Sequence, residues 1–243
     1  MSGAEARAGS RLYFRQLLSG RDFARADAVA SQMANFAYVI GDQARGEAFL
    51  VDPAYAPGEL VELVAEDSMR VAGVLLTHYH ADHAGGSLFG TAVAGVARLL
   101  ELVTVPVHVQ RSEVPWVEAT TGLGAGELVA HLPGDVLELG GLRLELIHTP
   151  GHTPGSQCVL VEERLVTGDT LFLEGCGRTD LPGGDAGALY ESIVQRIGAL
   201  PDRTLVLPGH AYSPAPSAKL GALRSANPVL VPAARADWLA AFS

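Results

Sequence analysis

Apolar residues fall in short runs along this chain, and the period of each run predicts an element. Residues 11–18 alternate loosely and read as a first strand. Residues 36–41 and 47–51 are apolar runs around a turn at 42–46, the pattern of a hairpin. Pro57 opens a helix over residues 58–69, with Leu60, Leu63 and Val64 on one face and Glu59, Glu62 and Glu66 off it. Residues 71–76 are apolar throughout, as in a strand covered on both faces. A second helix is predicted over 93–103 and a strand over 105–109. Residues 135–139 and 142–147 flank Gly140-Gly141 as another hairpin. Strands over 156–161 and 165–167, a helix over 187–200 and a buried strand over 204–207 complete the series.

This order predicts an α/β chain with two sheets face to face and helices outside, a four-layer αββα sandwich. Residues 12–243 read as a single domain. Residues 1–11, small, polar and aperiodic, read as a loose tail. No linker, internal repeat or low-complexity segment interrupts the pattern.

Composition narrows the function classes. The chain has 243 residues, 48% hydrophobic and 18% charged, which suits a sizeable core. Its net charge is −10 and its one lysine is Lys219, so neither nucleic acid nor an anionic membrane is an expected partner. No apolar run is long enough to cross a membrane, and the N-terminus shows no signal-peptide pattern. Cys158 and Cys176 allow one disulfide but no disulfide framework, so a reducing cytoplasm is the expected compartment.

Chemistry is concentrated where the apolar runs end. Thr77-His78-Tyr79-His80-Ala81-Asp82-His83 follows a buried strand directly. In an extended segment, alternate positions face the same way, so His78, His80 and Asp82 aim at one point. His83 turns toward a neighbouring point as the chain bends at Gly85-Gly86. Imidazole and carboxylate donors of this kind suit Zn, Fe or Mn. His152, Asp169 and His210 each follow a strand and a small or rigid residue, in Pro150-Gly151-His152, Thr167-Gly168-Asp169 and Pro208-Gly209-His210. Loops at one rim of a sandwich are where such a site is assembled.

Four motifs agree in order and spacing: His-x-His-x-Asp-His at 78–83, TPGHTPGS at 149–156, TGDTLF at 167–172 and PGH at 208–210. Together they resemble the metallo-β-lactamase superfamily, and within it the glyoxalase II (hydroxyacylglutathione hydrolase) and persulfide dioxygenase branches. The resemblance runs from about residue 36 to residue 228. It implies two divalent metal ions, zinc or alternatively one or two irons. His78, His80 and His152 would hold the first, Asp82, His83 and His210 the second, and Asp169 would bridge them. It also implies a hydrolase acting through metal-bound hydroxide on a thioester, a hydroxyacyl-thiol, with Asp82 orienting the nucleophile or accepting its proton. Metal binding lowers the pKa of water to about 7. Two dications would keep the site positive inside an acidic protein, which suits a small anionic thiol derivative.

The run Gly175-Cys176-Gly177-Arg178-Thr179-Asp180 looks like a loop shared by persulfide dioxygenases and several glyoxalase II-like hydrolases. Arg178 either grips a substrate carboxylate or ties the loop through Asp180 or backbone. Tyr212 either touches substrate or walls the pocket. Cys158 reads as core, and Cys176 as a small loop residue near the metals. Met33, Met69, Trp116 and Trp238 read as packing. His108, His131 and His148 fall outside the motifs and read as core or solvent-facing, with His148 close enough to support the site. Residues 116–128, glycine-rich at 122–126, suggest a mobile lid or a homodimer contact. Only residues 211–243 follow His210, too few for the long helical region with which full glyoxalase II binds glutathione.

Two other readings remain beside the hydrolase. In a mononuclear Fe(II) persulfide dioxygenase, His78, His152 and Asp169 would form a triad with open positions for O₂. In a non-catalytic metal-binding protein, the centre would persist without turnover. A β-lactamase role has no specific support in these motifs.

Overall fold

Strand alternation explains how four layers arise from this sequence. The structure, a computed structural model, describes residues 11–231 and 234–240. The expected tail lies outside these residues except for Arg11. That residue is anchored, its guanidinium pairing with the buried Asp42 at 3.0 Å.

The first sheet holds β1 (Leu12–Leu18), β2 (Phe36–Asp42), β3 (Glu47–Val51), β4 (Arg70–Leu75), β7 (Val107–Gln110) and β8 (Leu128–His131), in that spatial order. The hairpin β5 (Gly86–Leu88) and β6 (Thr91–Val93) stands apart. The second sheet is ordered β14 (Ala218–Lys219), β13 (Leu205–Pro208), β12 (Arg164–Gly168), β11 (Gln157–Val161), β10 (Leu142–His148) and β9 (Val136–Leu139). β2 and β3 form the expected hairpin, with Tyr38 opposite Val51 and Asp42 opposite Glu47. From β3 outward the first sheet is parallel, and so is the β12–β13 pair.

Because successive side chains of a strand face opposite ways, β2 feeds two cores. Phe36, Tyr38 and Ile40 join Leu75, Leu144, Leu146, Val159 and Val166 between the sheets. Ala37 and Val39 face outward, onto a core shared with Leu60 and Val64 of α2 (Pro57–Glu66) and Leu99 of α4 (Val96–Leu102). Behind the second sheet, Leu165 and Val206 pack with Leu189, Ile193, Leu220 and Trp238. Burying each of these larger side chains contributes roughly 1.5–3 kcal/mol, so the three apolar layers hold the sandwich together. Among the described residues, no helix is long and apolar enough to cross a membrane.

Several boundaries differ from the sequence reading. Val93 closes β6 rather than opening a helix, and α4 begins only at Val96. Gly95 stands at the break, where the chain passes so close to Ala84 that a Cβ would come within 2.2 Å of Ala84 O. The segment 116–128, expected as a mobile lid or a homodimer contact, takes up most of helix α5 (Val114–Thr121), which buries Val117 and ends on Gly122 at φ 78, and it runs on into β8. The helix over 187–200 is α-helical only at α6 (Ala186–Tyr190); the next turn is wider, and the last is a tight 3₁₀ turn. The two cysteines are free, with no disulfide between them.

His108 and His131, on neighbouring strands, are both buried, and their rings meet at 2.9 Å through His108 Nδ1 and His131 Nε2. Burial, with His131 alongside, pushes the His108 pKa down from 6.5 to about 4. The unfolded chain therefore takes the proton first. Stability is complete above the unfolded pKa and is lost as pH falls toward the folded one. We expect about 2 kcal/mol of unfolding free energy to disappear between pH 7 and pH 5 on this account. His108→Gln should flatten that slope in urea titrations, and an unchanged slope would contradict the assignment.

Candidate metal centre

Chain segments from both sheets converge at one rim. β4 delivers His78, β12 delivers Asp169 and β13 delivers His210, each just past its last strand residue. His152 lies in the loop from β10 to β11. Asp82 and His83 sit on the single turn α3 (Ala81–Ala84), which follows His80. Asp82, His83, His152 and His210 are buried, as is His78.

All seven ligand residues named from the motifs are brought together. His78 Nε2 lies 3.1 Å from His80 Nδ1, which lies 3.0 Å from His152 Nε2. In the second set, His83 Nε2 is 3.2 Å from His210 Nε2, and Asp82 Oδ2 is 3.5 Å and 3.4 Å from those two atoms. Asp169 faces both sets: Oδ1 is 3.3 Å from His83, and Oδ2 is 3.3 Å from His210 and 3.7 Å from His152. Each set has its donor atoms within 4.8 Å of one another, as one metal ion requires.

The far nitrogens decide which lone pairs face inward. His83 Nδ1 donates to Asp52 Oδ2 (2.9 Å), His210 Nδ1 to Met33 O (2.8 Å) and His152 Nδ1 to Arg178 O (2.7 Å). Thr77 Oγ1 gives its proton to Asp52 Oδ2 (2.6 Å) and so accepts from His78 Nδ1 (3.0 Å). A ring that donates on one side presents an unshared pair on the other, as metal-binding histidines do. Asp169 Oδ1 is buried with no hydrogen-bond partner among the described residues, as is His80 Nε2. Bare lone pairs at these separations, with an orphaned carboxylate oxygen among them, fit divalent cations well.

Charge divides the two sets. Burial and the neighbouring His83 and His80 hold the His78 pKa well below the ordinary value. Burial and His152 push His80 down to about 4. His83 is also opposed by burial, yet Asp169, Asp82 and Asp52 outweigh it and lift its pKa well above the usual value. His210 is raised in the same way, chiefly by Asp169 against burial. Asp169 itself, though buried, is held well below the carboxylate range by His210 and His83.

Two supporting carboxylates were not singled out from the sequence. Asp52 follows β3 directly, in the left-handed region at φ 51, and accepts from Thr77 N (2.7 Å) as well as from Thr77 Oγ1 and His83. It lies within reach of the His78 and His83 donors, but those contacts occupy its oxygens and make it an anchor rather than a ligand. Glu113, 1% exposed, accepts from Tyr79 N (2.8 Å), Thr153 Oγ1 (2.7 Å) and Gly155 N (2.5 Å). It thereby clasps the loop of His78 and His80 to the loop of His152. Burial pushes its pKa up to about 7.

The remaining residues named from the sequence surround this cluster. Tyr212, 55% exposed, stacks on the His210 ring at 4.5 Å, with Phe172 edge-on to both. Arg178 lies on the loop after Asp169, and its guanidinium forms a paired contact with Asp180 at 2.6 Å and 2.5 Å. This contact ties the loop as one of the two expected roles requires, and it leaves the guanidinium exposed. Gly177 lets that loop close: a Cβ there would come within 2.2 Å of Asp169 O. Asn227, fully buried, clamps the turn before it, donating to Phe172 O and Gly175 O and accepting from Gly175 N. Trp116 stacks on Tyr79 at 5.2 Å, and Tyr79 Oη donates to Pro182 O, so α5 braces the loop's far end. Cys176 is largely buried, which pushes its thiol up to about 12, and Cys158 lies wholly in the core. His148 donates to Pro154 O in the His152 loop, a supporting contact.

The chain belongs to the metallo-β-lactamase superfamily, whose family model matches residues 31–210. It is 29% identical over 193 residues to the probable polyketide biosynthesis zinc-dependent hydrolase BaeB of Bacillus velezensis, covering 79% of this chain and 80% of that protein. Among solved structures, ETHE1 from Myxococcus xanthus is 29% identical with a TM-score of 0.77, covering 95% of this chain and 89% of that one. TTHA1623, in a di-iron-bound form, is 30% identical with a TM-score of 0.64, covering 81% of this chain and 95% of that one.

Glu113→Ala would leave two buried amides without their acceptor, while Thr153 Oγ1 keeps Ser156 Oγ at 2.7 Å. A lost partner costs roughly 1–3 kcal/mol each, so the substitution is expected to remove about 2 kcal/mol or more of stability. Urea unfolding measures this, and a loss below about 1 kcal/mol would show that the clasp is unimportant.

Proposed function

We propose that this chain is a dinuclear metallohydrolase that cleaves thioesters of small anionic thiols. The observation that carries this reading is the pair of donor sets sharing Asp169, which faces His152 on one side and His83 and His210 on the other. A probable zinc-dependent hydrolase among the similar proteins supports a metal-dependent hydrolase, and a similar structure in a di-iron-bound form supports a two-cation centre. Bound there, two divalent cations would supply Lewis-acid polarisation and a more acidic water.

The chain's own residues supply the rest. In hydrolysis, water oxygen attacks the acyl carbon, the carbon–sulfur bond breaks, and the sulfur leaves with a proton as the thiol. In this reading Asp82 takes the proton of the attacking water, supported by the bond from Asn35 Nδ2 to its Oδ2 at 3.1 Å, which orients the carboxylate. Tyr212, stacked on His210 and backed by the buried Phe172, offers an aromatic face for the acyl or thiol portion. Arg178 stands exposed at the rim, where a substrate carboxylate would compete with Asp180 for its fork.

A protein loaded with zinc or iron is expected to release free thiol from a hydroxyacylglutathione or a simpler hydroxyacyl thioester. Asp82→Asn should lower kcat by about a hundredfold or more, the scale of general acid–base catalysis. Arg178→Ala should raise KM with kcat little changed, the mark of uniform binding. Absence of thiol release by a fully loaded protein across such thioesters would defeat the hydrolase reading.

One observation favours a second reading, a mononuclear Fe(II) persulfide dioxygenase. The loop 175–180, similar to that of persulfide dioxygenases, is tied to the centre through Arg178 O and His152. Oxygen consumption by the iron-loaded protein with a thiol persulfide, without thioester cleavage, would establish it. A loaded protein inactive in both assays would point to a non-catalytic metal-binding role.

A further inference from the structure

Asn35 stands where helix α1 (Ala28–Met33) gives way to β2, and it is 4% exposed. Its backbone is pinned to the His210 strand end. Asn35 and His210 form an antiparallel bridge, Phe36 N donates to Gly209 O, and Ala211 N donates to Ala34 O. That framework aims the side-chain amide at one of the two donor sets.

Asn35 Nδ2 lies 3.1 Å from Asp82 Oδ2, 3.2 Å from His83 Nε2 and 3.5 Å from His210 Nε2. With the separations among those three atoms, all four lie between 3.1 and 3.5 Å of one another. The amide thus closes one face of the second set. On its other side, Asn35 Oδ1 accepts from Tyr55 Oη at 3.1 Å, which fixes the amide's orientation.

An amide nitrogen carries two protons. One goes to Asp82 Oδ2, a charge-assisted bond that holds this carboxylate in a single rotamer. The other faces the ring nitrogens, whose lone pairs a cation would take instead, so the support that Asn35 gives to a bound cation comes from its bond to Asp82. Backbone contacts alone account for the junction of β2 with the His210 strand end, so the side chain is available for this separate task.

We propose that Asn35, oriented by Tyr55, is a positioning residue that sets the occupancy of the second cation site, formed by Asp82, His83 and His210, without affecting the first. This rests on the two-cation reading of the centre. Loss of an outer contact of this kind weakens metal binding by about 10–100-fold.

The test is calorimetric titration of metal-free protein with Zn²⁺, paired with absorption spectra of the Co²⁺-loaded forms. Wild type is expected to take up two cations. Asn35→Ala should bind one as wild type does and the other about 10–100-fold more weakly, with one of the two cobalt signatures lost at low metal. Tyr55→Phe removes a single oxygen outside the donor set and covers the case in which Asn35→Ala does not fold. It should weaken the same cation alone, by a smaller factor. Equal weakening at both sites, or affinities unchanged from wild type in either variant, would overturn the proposal. Uptake of fewer than two cations by wild type would instead defeat the two-cation reading, and this inference with it.

Discussion

Ring nitrogens at 3.0–3.2 Å repel one another when their lone pairs meet, and the centre keeps five imidazoles at such separations around two carboxylates. The arrangement persists because most rings are gripped from behind. Thr77, Asp52, Arg178 and Met33 each accept the outer proton of a different histidine, so its lone pair points inward. Each grip comes from a different stretch of chain. The rim is therefore only as well ordered as the sandwich that brings those stretches together.

The sandwich meets that demand at its seam. Thr77 sits on the first sheet's edge of the cluster, and its carbonyl accepts from Gln157 N at the start of β11 in the second sheet. Gln157 Nε2 donates to Leu76 O across the same gap. Glycines let the elements approach closely enough: a Cβ on Gly209 would come within 2.3 Å of Asp169 Oδ1. The apolar layer of Phe36, Tyr38, Leu75 and Leu146 lies directly beneath, so packing of the core and placement of the ligands are one problem.

Much of this was legible in the sequence, for a local reason. His78, His80, Asp82 and His83 fall within six residues after a fully apolar strand, and His152, Asp169 and His210 follow Gly or Pro-Gly at other strand ends. Their chemistry is unusual enough to stand out in one dimension. Asp52, Glu113 and Asn35 are ordinary residues by composition, and their partners lie tens of residues away, so only folding reveals what they do. The VDP context of Asp52 directly after an apolar run was a signal that could have been used. The short β5–β6 hairpin was hidden because three-residue strands give too little alternation to separate from a helix start. Arg178 was readable as a site-bordering residue, but its pairing with Asp180 was a choice between two options that spacing could not settle.

Asn227 carries a consequence for how the molecule is made. It lies beyond every ligand in the chain, yet its amide ties down the turn at Phe172 and Gly175, in the loop whose Arg178 carbonyl grips His152. A nascent polypeptide emerging from the ribosome can finish both sheets and expose all seven ligands before that clamp exists. The turn before Arg178 is thus clamped only after translation has passed Asn227, later than the synthesis of the last of the seven ligands.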